Sequence, residues 1–231
     1  MYFNLIAPAD GHEREAAHER AEGPYAEHRW LWRFFPAAEG TTRDFLFRRL
    51  DVHGIPRFYV VSRRAPVPSG AAWSVQTREY APRLLVGTRL HFDLRANPVV
   101  SRSRDGKSKR DDVVMQEKKR LLEARGLGRW QDWQGQGKPA LYTLVRAACG
   151  AWLKSRAASL GFAVDEMCLA VYGYQRHAEK NGRLHFSTVD FSGDLTVTDP
   201  VAFGQALYAG VGHAKAFGCG LLLVRRLYLT N

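Results

Sequence analysis

The stretch "RDFLFRRLDVHGIPRFYVVSRR", Arg43–Arg64, decides the fold class of this chain. It contains two runs of aromatic and branched residues, which favour extended strands, on either side of His53 and Gly54. Two such runs joined by a short glycine-containing turn predict an antiparallel β-hairpin. We therefore expect an antiparallel sheet in this part of the protein.

The sequence on both sides of this hairpin predicts an α+β fold. "YFNLIA", residues 2–7, is typical of a first strand. The charged segment 12–22 is typical of a solvated helix or loop, and Pro24 is expected at the first position of the helix that follows. After the hairpin, "WSVQTREY" and "RLHFDLRANPVV" predict two more strands. This order indicates helices on one face of an antiparallel sheet.

The second half of the chain repeats this architecture without repeating the sequence. "PALYTLVRAACGAWLKSRAASLGF", residues 139–162, has the apolar spacing of an amphipathic helix. Two strands around a polar turn, a helix with Asp199 as its N-cap and a final strand follow. We predict a first domain over 1–100, a basic arm and linker helix over 101–138, and a second domain over 139–231.

The charge of the chain predicts a polyanionic partner. Lys and Arg number 34 against 23 Asp and Glu, a formal net charge of +11, and nucleic acid is the commonest partner of such a protein, ahead of a membrane surface. No apolar run approaches the roughly 20 residues of a membrane-spanning helix. The first residues also lack the basic start of a signal peptide, so we expect a cytoplasmic protein.

The sequence offers no pattern for a metal, a cofactor or a serine nucleophile. The three cysteines, Cys149, Cys168 and Cys219, are far apart and form no CxxC pair. No HExxH motif and no GxSxG elbow occurs. We therefore predict that the protein uses no cofactor and holds no metal.

Tyr25 and His28 form the first candidate for chemistry. On a helix, residues three apart lie one turn from each other and within side-chain contact range, and histidine can take or give a proton near neutral pH. The alternative is that both side chains pack on an amphipathic face together with Leu31, Trp32 and Phe35.

A second candidate is the segment "GVGHAKAFGCG", Gly210–Gly220, which contains His213 and Lys215. Its glycines permit close backbone approach, and successive backbone N–H groups in such a loop can bind an anion. The alternative is an ordinary turn between a helix and a strand.

Two basic segments predict contacts to the phosphates of a nucleic acid. Residues 102–110, "RSRDGKSKR", are expected to form a solvated loop or disordered arm, and "YQRHAEKNGR" a protruding hairpin turn. For any single residue the alternative is a solvated surface charge. The candidate nucleic-acid-binding residues, which bind RNA if the resemblance described below holds, are Arg29, Arg102, Arg104, Lys107, Lys109, Arg110, Arg176, Lys180, Arg183, His213 and Lys215.

Four motifs carry a resemblance that spans nearly the whole chain. Y-x-x-H followed by "LWRFFP", then "RDFLFR", "LRANPVV" and "GVGHAKAFGCGLL" are similar to those of the CasE family, the endoribonuclease subunit of Cascade-type CRISPR systems. The resemblance implies two ferredoxin-like domains in tandem. It also implies metal-independent cleavage of CRISPR precursor RNA at the base of the repeat hairpin.

The resemblance also implies roles for individual residues. The catalytic histidine falls on His28, its assisting tyrosine on Tyr25, and a basic residue five positions after the histidine on Arg33. Attack of the ribose 2′-OH on the adjacent phosphate needs a base, an acid and nearby positive charge; His28 serves as base or acid, and Arg29, Arg33 or Lys215 as the charge.

The expected partners are the precursor RNA, the mature crRNA hairpin and other Cascade subunits, without a membrane. The alternative function is an RNA-hairpin-binding scaffold subunit that has lost catalysis, in which Tyr25 and His28 only pack.

Overall fold

The computed structural model describes residues 1–19, 23–104, 107–179 and 184–227, which form two compact units. The first unit comprises Met1–Leu84 and Gly204–Leu222, and the second Leu85–Phe203 and Leu223–Asn231. This division differs from the predicted boundaries, because residues 85–100 belong to the second unit and 204–222 to the first.

The first unit is built on a sheet of four antiparallel strands, and it contains the predicted hairpin. The strands are β1 (Tyr2–Pro8), β2 (Phe45–Val52), β3 (Ile55–Ser62) and β4 (Trp73–Glu79), in the order β2-β3-β1-β4. Val52 pairs with Ile55 across His53 and Gly54, whose φ angles of 51° and 77° are those of a tight two-residue hairpin turn.

Helices cover one face of this sheet. The helix α1 (Glu13–Glu19) lies in the charged segment, and α2 (Pro24–Leu31) begins at Pro24 as predicted and continues as a 3₁₀ turn over Trp32–Phe34. Alternation along the strands sends every second side chain towards the helices. The core so formed consists of Ile6, Ala16, Leu31, Phe34, Phe35, Phe45, Phe47, Phe58, Val60, Ala72 and Trp73.

The second unit begins with β5 (Arg89–Ala96), followed by a hairpin of β6 (Val99–Arg104) and β7 (Lys107–Asp112) and by α3 (Val113–Glu123). The expectation of a loop or disordered arm over 102–110 is therefore wrong. The segment lacks the alternating apolar residues that signal a strand. Its order comes from β-pairing and from the base of the hairpin, where Val99 is buried and Asp112 caps α3.

The rest of the second unit supplies a complete ferredoxin-like pattern. It contains α4 (Leu141–Ala157), β8 (Phe162–Val164), β9 (Ala170–Glu179), β10 (Leu184–Val197), α5 (Pro200–Ala209) and β11 (Leu222–Arg226). The sheet order is β11-β5-β10-β8, and β9 also pairs with β10. The boundary between the units falls within α5.

Two local predictions in this unit are confirmed. Most of the apolar stripe of α4 is buried, although Leu141 at its start is exposed, and the stripe places Trp152 6.0 Å from Phe191 of β10, with the rings stacked. The Asp199 carboxylate accepts hydrogen bonds from the backbone N–H groups of Val201 and Ala202 at 2.9 and 3.1 Å, which makes it the N-cap of α5.

The predicted α+β class with two tandem ferredoxin-like folds is confirmed. Both sheets have the order fourth, first, third, second strand, although residues 63–72 of the first unit connect β3 to β4 without a helix. None of the described helices combines the length and apolar character needed to cross a membrane.

Candidate active site

A salt bridge links the helix α2 to the sheet of the first unit. Gly23, with φ of 84°, precedes the helix in a conformation that favours glycine, and Pro24 occupies its first turn. Further along, the Glu27 carboxylate binds the Arg49 guanidinium of β2 at 2.5 Å. This attachment sets the orientation of Tyr25 and His28.

His28 is half-buried and accepts a hydrogen bond from a neighbouring indole. The Nε1–H of Trp32 lies 3.2 Å from Nε2 of His28, and because indole nitrogen can only donate, this imidazole nitrogen carries no proton. Burial, and then the positive charge of Arg43, lower the pKa of His28 from its ordinary 6.5. His28 is therefore a neutral imidazole with its proton on Nδ1.

Arg43 is the cation beside His28. Its Nη1 donates to the backbone carbonyl of Lys215, and its guanidinium lies 5.8 Å from the centre of the Phe45 ring. Burial lowers the pKa of Arg43, but a guanidinium stays charged in proteins. The site therefore holds a fixed positive charge next to a neutral base.

The glycine-rich segment reaches the same place. Phe217 lies 6.5 Å from the Tyr25 ring, and the Arg29 guanidinium lies 5.5 Å from the centre of that ring. Burial, and then the charge of Arg43, lower the pKa of Lys215 from its ordinary 10.5. The structure thus brings the two candidates of the sequence, the Tyr25–His28 pair and the glycine loop, to one site.

Close packing accounts for two glycines of this loop. A Cβ on Gly210 would lie 2.8 Å from a methyl group of Leu46 in β2, and one on Gly220 would lie 2.9 Å from the carbonyl oxygen of Val211. Both residues have a positive φ, 77° and 91°, which is strained for other residues. The glycines therefore hold the Lys215 turn against β2, and anion binding by the loop backbone stays a prediction.

A groove of about 640 Å³ opens beside His28. Such a volume is in the range of small-molecule sites and admits a nucleotide. Its walls are largely small or apolar side chains, and its polar side chains include the imidazole of His28, the guanidinium of Arg43 and the hydroxyl of Thr41. The lining residues are His28, Trp32, Pro36, Ala37, Ala38, Gly40, Thr41, Arg43 and Ala216.

Arg33 is held elsewhere. Its Nη1 lies 2.7 Å from the Glu19 carboxylate and its Nε donates to the Ser69 hydroxyl at 2.9 Å. The guanidinium therefore forms an ion pair that links the 3₁₀ turn, which contains Arg33, to α1, which contains Glu19. The structure does not bring Arg33 together with His28, and its catalytic role stays a prediction without a supporting contact.

The remaining candidate RNA-binding residues lie in several places. Arg29, Arg110, Arg176 and His213 are exposed. Arg102, Arg104, Lys107 and Lys109 lie along the backbone of the β6–β7 hairpin, and their side chains are not described. Lys180 and Arg183 lie outside the described residues.

Sequence reasoning missed two residues of the site, Trp32 and Arg43. Both stand in quoted motifs, "LWRFFP" and "RDFLFR", so a signal was present. Arg43, however, lies near His28 only because of the course of the loop that joins the 3₁₀ turn to β2, and no rule of sequence spacing predicts that course. Within the described ranges, no group of three or more His, Cys, Asp or Glu side chains is arranged to hold a metal ion.

Comparison with known proteins covers both units. A family model described as CRISPR associated protein matches residues 1–226. The CRISPR system Cascade subunit CasE of Escherichia coli (strain K12) is 29% identical over 203 residues, 86% of this chain and 89% of that protein. The CRISPR-associated endoribonuclease Cse3 of Thermus thermophilus is 29% identical over 224 residues, 90% of this chain and 93% of that protein.

A solved structure shares the fold over the same extent. The structure of Thermus thermophilus Cse3 bound to an RNA representing a pre-cleavage complex has a TM-score of 0.66 and 25% identity, and the match covers 97% of this chain and 98% of that one.

Proposed function

This chain belongs to the family of CRISPR associated proteins, and from that membership we propose that it is an endoribonuclease that cleaves CRISPR precursor RNA. The resemblance to CasE is confirmed by the relatives, one named a Cascade subunit and the other an endoribonuclease. The observation that carries the proposal is the neutral His28 with its unprotonated Nε2, beside Arg43 and a groove that admits a nucleotide.

His28 is assigned as the general base. A base must be unprotonated at the working pH, and the lowered pKa of His28 keeps the imidazole neutral at pH 7. The Trp32 N–H donates to the Nε2 lone pair of His28. We assign the ribose 2′-OH to the same lone pair, in the place of the indole.

Arg43 and Lys215 are assigned to the phosphate. Two positive groups next to the reacting phosphate stabilise the charge that builds up as it becomes five-coordinate. The lowered pKa of Lys215 also makes its ammonium a better acid than an ordinary lysine. Tyr25, next to Phe217 of the Lys215 turn, is assigned to orienting the 2′-OH or the phosphate.

The proposed reaction then proceeds in one balanced step. Nε2 of His28 takes the 2′-OH proton, the 2′-oxygen bonds to phosphorus, and the bond from phosphorus to the 5′-oxygen breaks. The 5′-oxygen takes a proton from the Lys215 ammonium. The products are a 2′,3′-cyclic phosphate and a 5′-OH, and because the RNA supplies the nucleophile, the step needs no metal-bound water.

We propose the base of the repeat hairpin as the cleavage position and the mature crRNA hairpin as the retained product. Other subunits of a Cascade-type complex are the proposed protein partners. A cytoplasmic location follows, since the precursor RNA is transcribed and processed there. The exposed basic residues supply the backbone contacts by which RNA hairpins are bound.

The proposal is tested by incubating the protein with cognate repeat hairpin RNA in excess EDTA. We expect single-turnover cleavage to persist, and we expect no cleavage of an RNA with deoxyribose just upstream of the scissile phosphate, at nearly unchanged affinity because one hydroxyl is a small share of a phosphate-dominated interface. Activity that returns only with magnesium, or normal cleavage of the deoxy RNA, would contradict the mechanism. Tight binding of both RNAs without any cleavage would establish the scaffold alternative.

A further inference from the structure

Residues 124–140 of the second unit form a long connection between α3 and α4 that contains no helix or strand. Connections longer than about 12–15 residues without such elements are uncommon in compact domains and are usually functional or disordered. This one is ordered around two tryptophans. Trp133 is buried, and the Trp130 ring meets it edge to face at 5.4 Å.

Cations surround these two rings. The Arg125 guanidinium lies 3.8 Å from the centre of the Trp133 ring. Two ammonium groups from different elements, Lys118 of α3 and Lys138 of the connection, lie 5.3 and 5.4 Å from the centre of the Trp130 ring. Arg129, next to Trp130 in sequence, is exposed.

These cations lack acidic partners within the described part of the chain. The two acids of α3 are engaged elsewhere, Glu117 with Arg120 at 2.6 Å and Glu123 with Lys119 at 3.6 Å. Like charges that the fold brings to one ring repel each other, and a polyanion removes that repulsion. The arrangement therefore fits an anionic ligand with several charges.

We propose that this tryptophan patch, formed by Lys118, Arg125, Arg129, Trp130 and Lys138, is a second RNA-binding surface. Its residues do not line the cleavage groove. Aromatic rings interleaved with lysine and arginine are the combination that binds RNA, since the cations meet phosphates and the ring offers an edge or face to a base. The inference rests on the proposed function only in that the ligand is the RNA the protein cleaves.

The test compares two charge-matched double variants of the full chain. Lys118→Gln with Lys138→Gln changes the patch, while Lys119→Gln with Lys154→Gln removes the same charge from lysines that pair with Glu123 and Glu166. The affinity of each protein for the uncleavable deoxy hairpin RNA is measured at several salt concentrations, with thermal unfolding as the check on folding.

We expect the patch variant to bind about tenfold more weakly at physiological salt and its log–log salt slope to fall by about 1.5 to 2, because each lysine contributes about one phosphate contact. The control variant should bind like the wild type, and both should cleave at the wild-type rate when saturating. Equal affinities and equal salt slopes for the two variants would contradict RNA binding by the patch. If the patch variant shows the smaller salt slope but the wild-type protein never cleaves the RNA, the proposed activity is overturned and the RNA-binding patch is not.

Discussion

Two half-buried histidines, one in each unit, stand in opposite surroundings. His91 of β5 has both nitrogens engaged by its neighbours in the sheet, Nδ1 with the Asp194 carboxylate at 2.9 Å and Nε2 with the Ser192 hydroxyl at 3.1 Å. His28 of α2 has a single indole donor on Nε2, a guanidinium as its charged neighbour, and an open groove beside it.

The difference separates a histidine held on both sides by its sheet from one whose surroundings suit the proposed proton transfer. Partners on both nitrogens of His91 fix the position of its ring, whereas burial, and then the charge of Arg43, lower the pKa of His28 and favour its neutral form. A base also needs a lone pair that the substrate can reach. Burial alone does not distinguish the two residues, and the partners of each nitrogen do.

The largest expected effect comes from replacing each of the two histidines by alanine. His28→Ala should slow single-turnover cleavage by roughly 10² to 10⁴ fold with little change in hairpin affinity, because basic residues elsewhere hold the phosphates. His91→Ala should leave cleavage nearly unchanged and lower the free energy of unfolding by about 1–3 kcal/mol, since Asp194 loses its partner. Cleavage rates at saturating protein, RNA affinity and urea unfolding measure the three quantities.

The packing alternative predicts a different outcome for the same variants. If His28 only packs, His28→Ala should lose stability, and binding and cleavage should fall together. A His28→Ala protein that is folded, tightly binding and fully active would contradict both interpretations.

A smaller effect is expected from the two arginines that compete for the role of the catalytic cation. Arg43→Gln should slow cleavage by roughly 10² fold, because it removes a preorganised charge next to the reacting phosphate. Arg33→Gln should leave the rate unchanged and cost less than about 1 kcal/mol, as expected for its partly exposed ion pair with Glu19. The opposite ranking of the two rates would restore the assignment of Arg33 and remove Arg43 from the site.

Local signals predicted most of the fold. The β2–β3 hairpin, the stripe of α4 and the Asp199 cap each depend on residues close in sequence, and all three are present. The β6–β7 hairpin was missed because its strands carry no apolar alternation. The place of residues 204–222 in the first unit was missed because it depends on tertiary contacts, such as that of Gly210 with Leu46.

The candidate site divides in the same way. Tyr25 and His28 follow from helical spacing and from the resemblance to CasE. The Arg43 contact to the Lys215 carbonyl joins residues far apart in sequence, and helical spacing does not specify the hydrogen bond from Trp32 to His28. The spacing therefore predicted which side chain could move a proton, and the partners that set its protonation state came from the structure.

The smallest expected effect comes from replacing Trp32, and it tests the hydrogen bond from its indole to His28. The indole donates to the neutral form of His28 only, so Trp32→Phe should raise the His28 pKa and shift the midpoint of the pH–rate profile upwards. The rate above pH 7 should change little, since His28 is neutral there in either protein. An unchanged midpoint of the pH–rate profile would show that the hydrogen bond does not contribute.

The most direct test of the account is the pH dependence of single-turnover cleavage by the wild-type protein. Burial, and then the charge of Arg43, lower the pKa values of both His28 and Lys215. A protonated His28 cannot accept the 2′-OH proton, and its pKa is lowered from 6.5. We predict a rate that rises about tenfold per pH unit at low pH and levels off through a midpoint below 6.5, with no such rise in His28→Ala. A midpoint above 6.5, or a rate that falls with increasing pH across this range, would contradict the assignment of His28 as the neutral base.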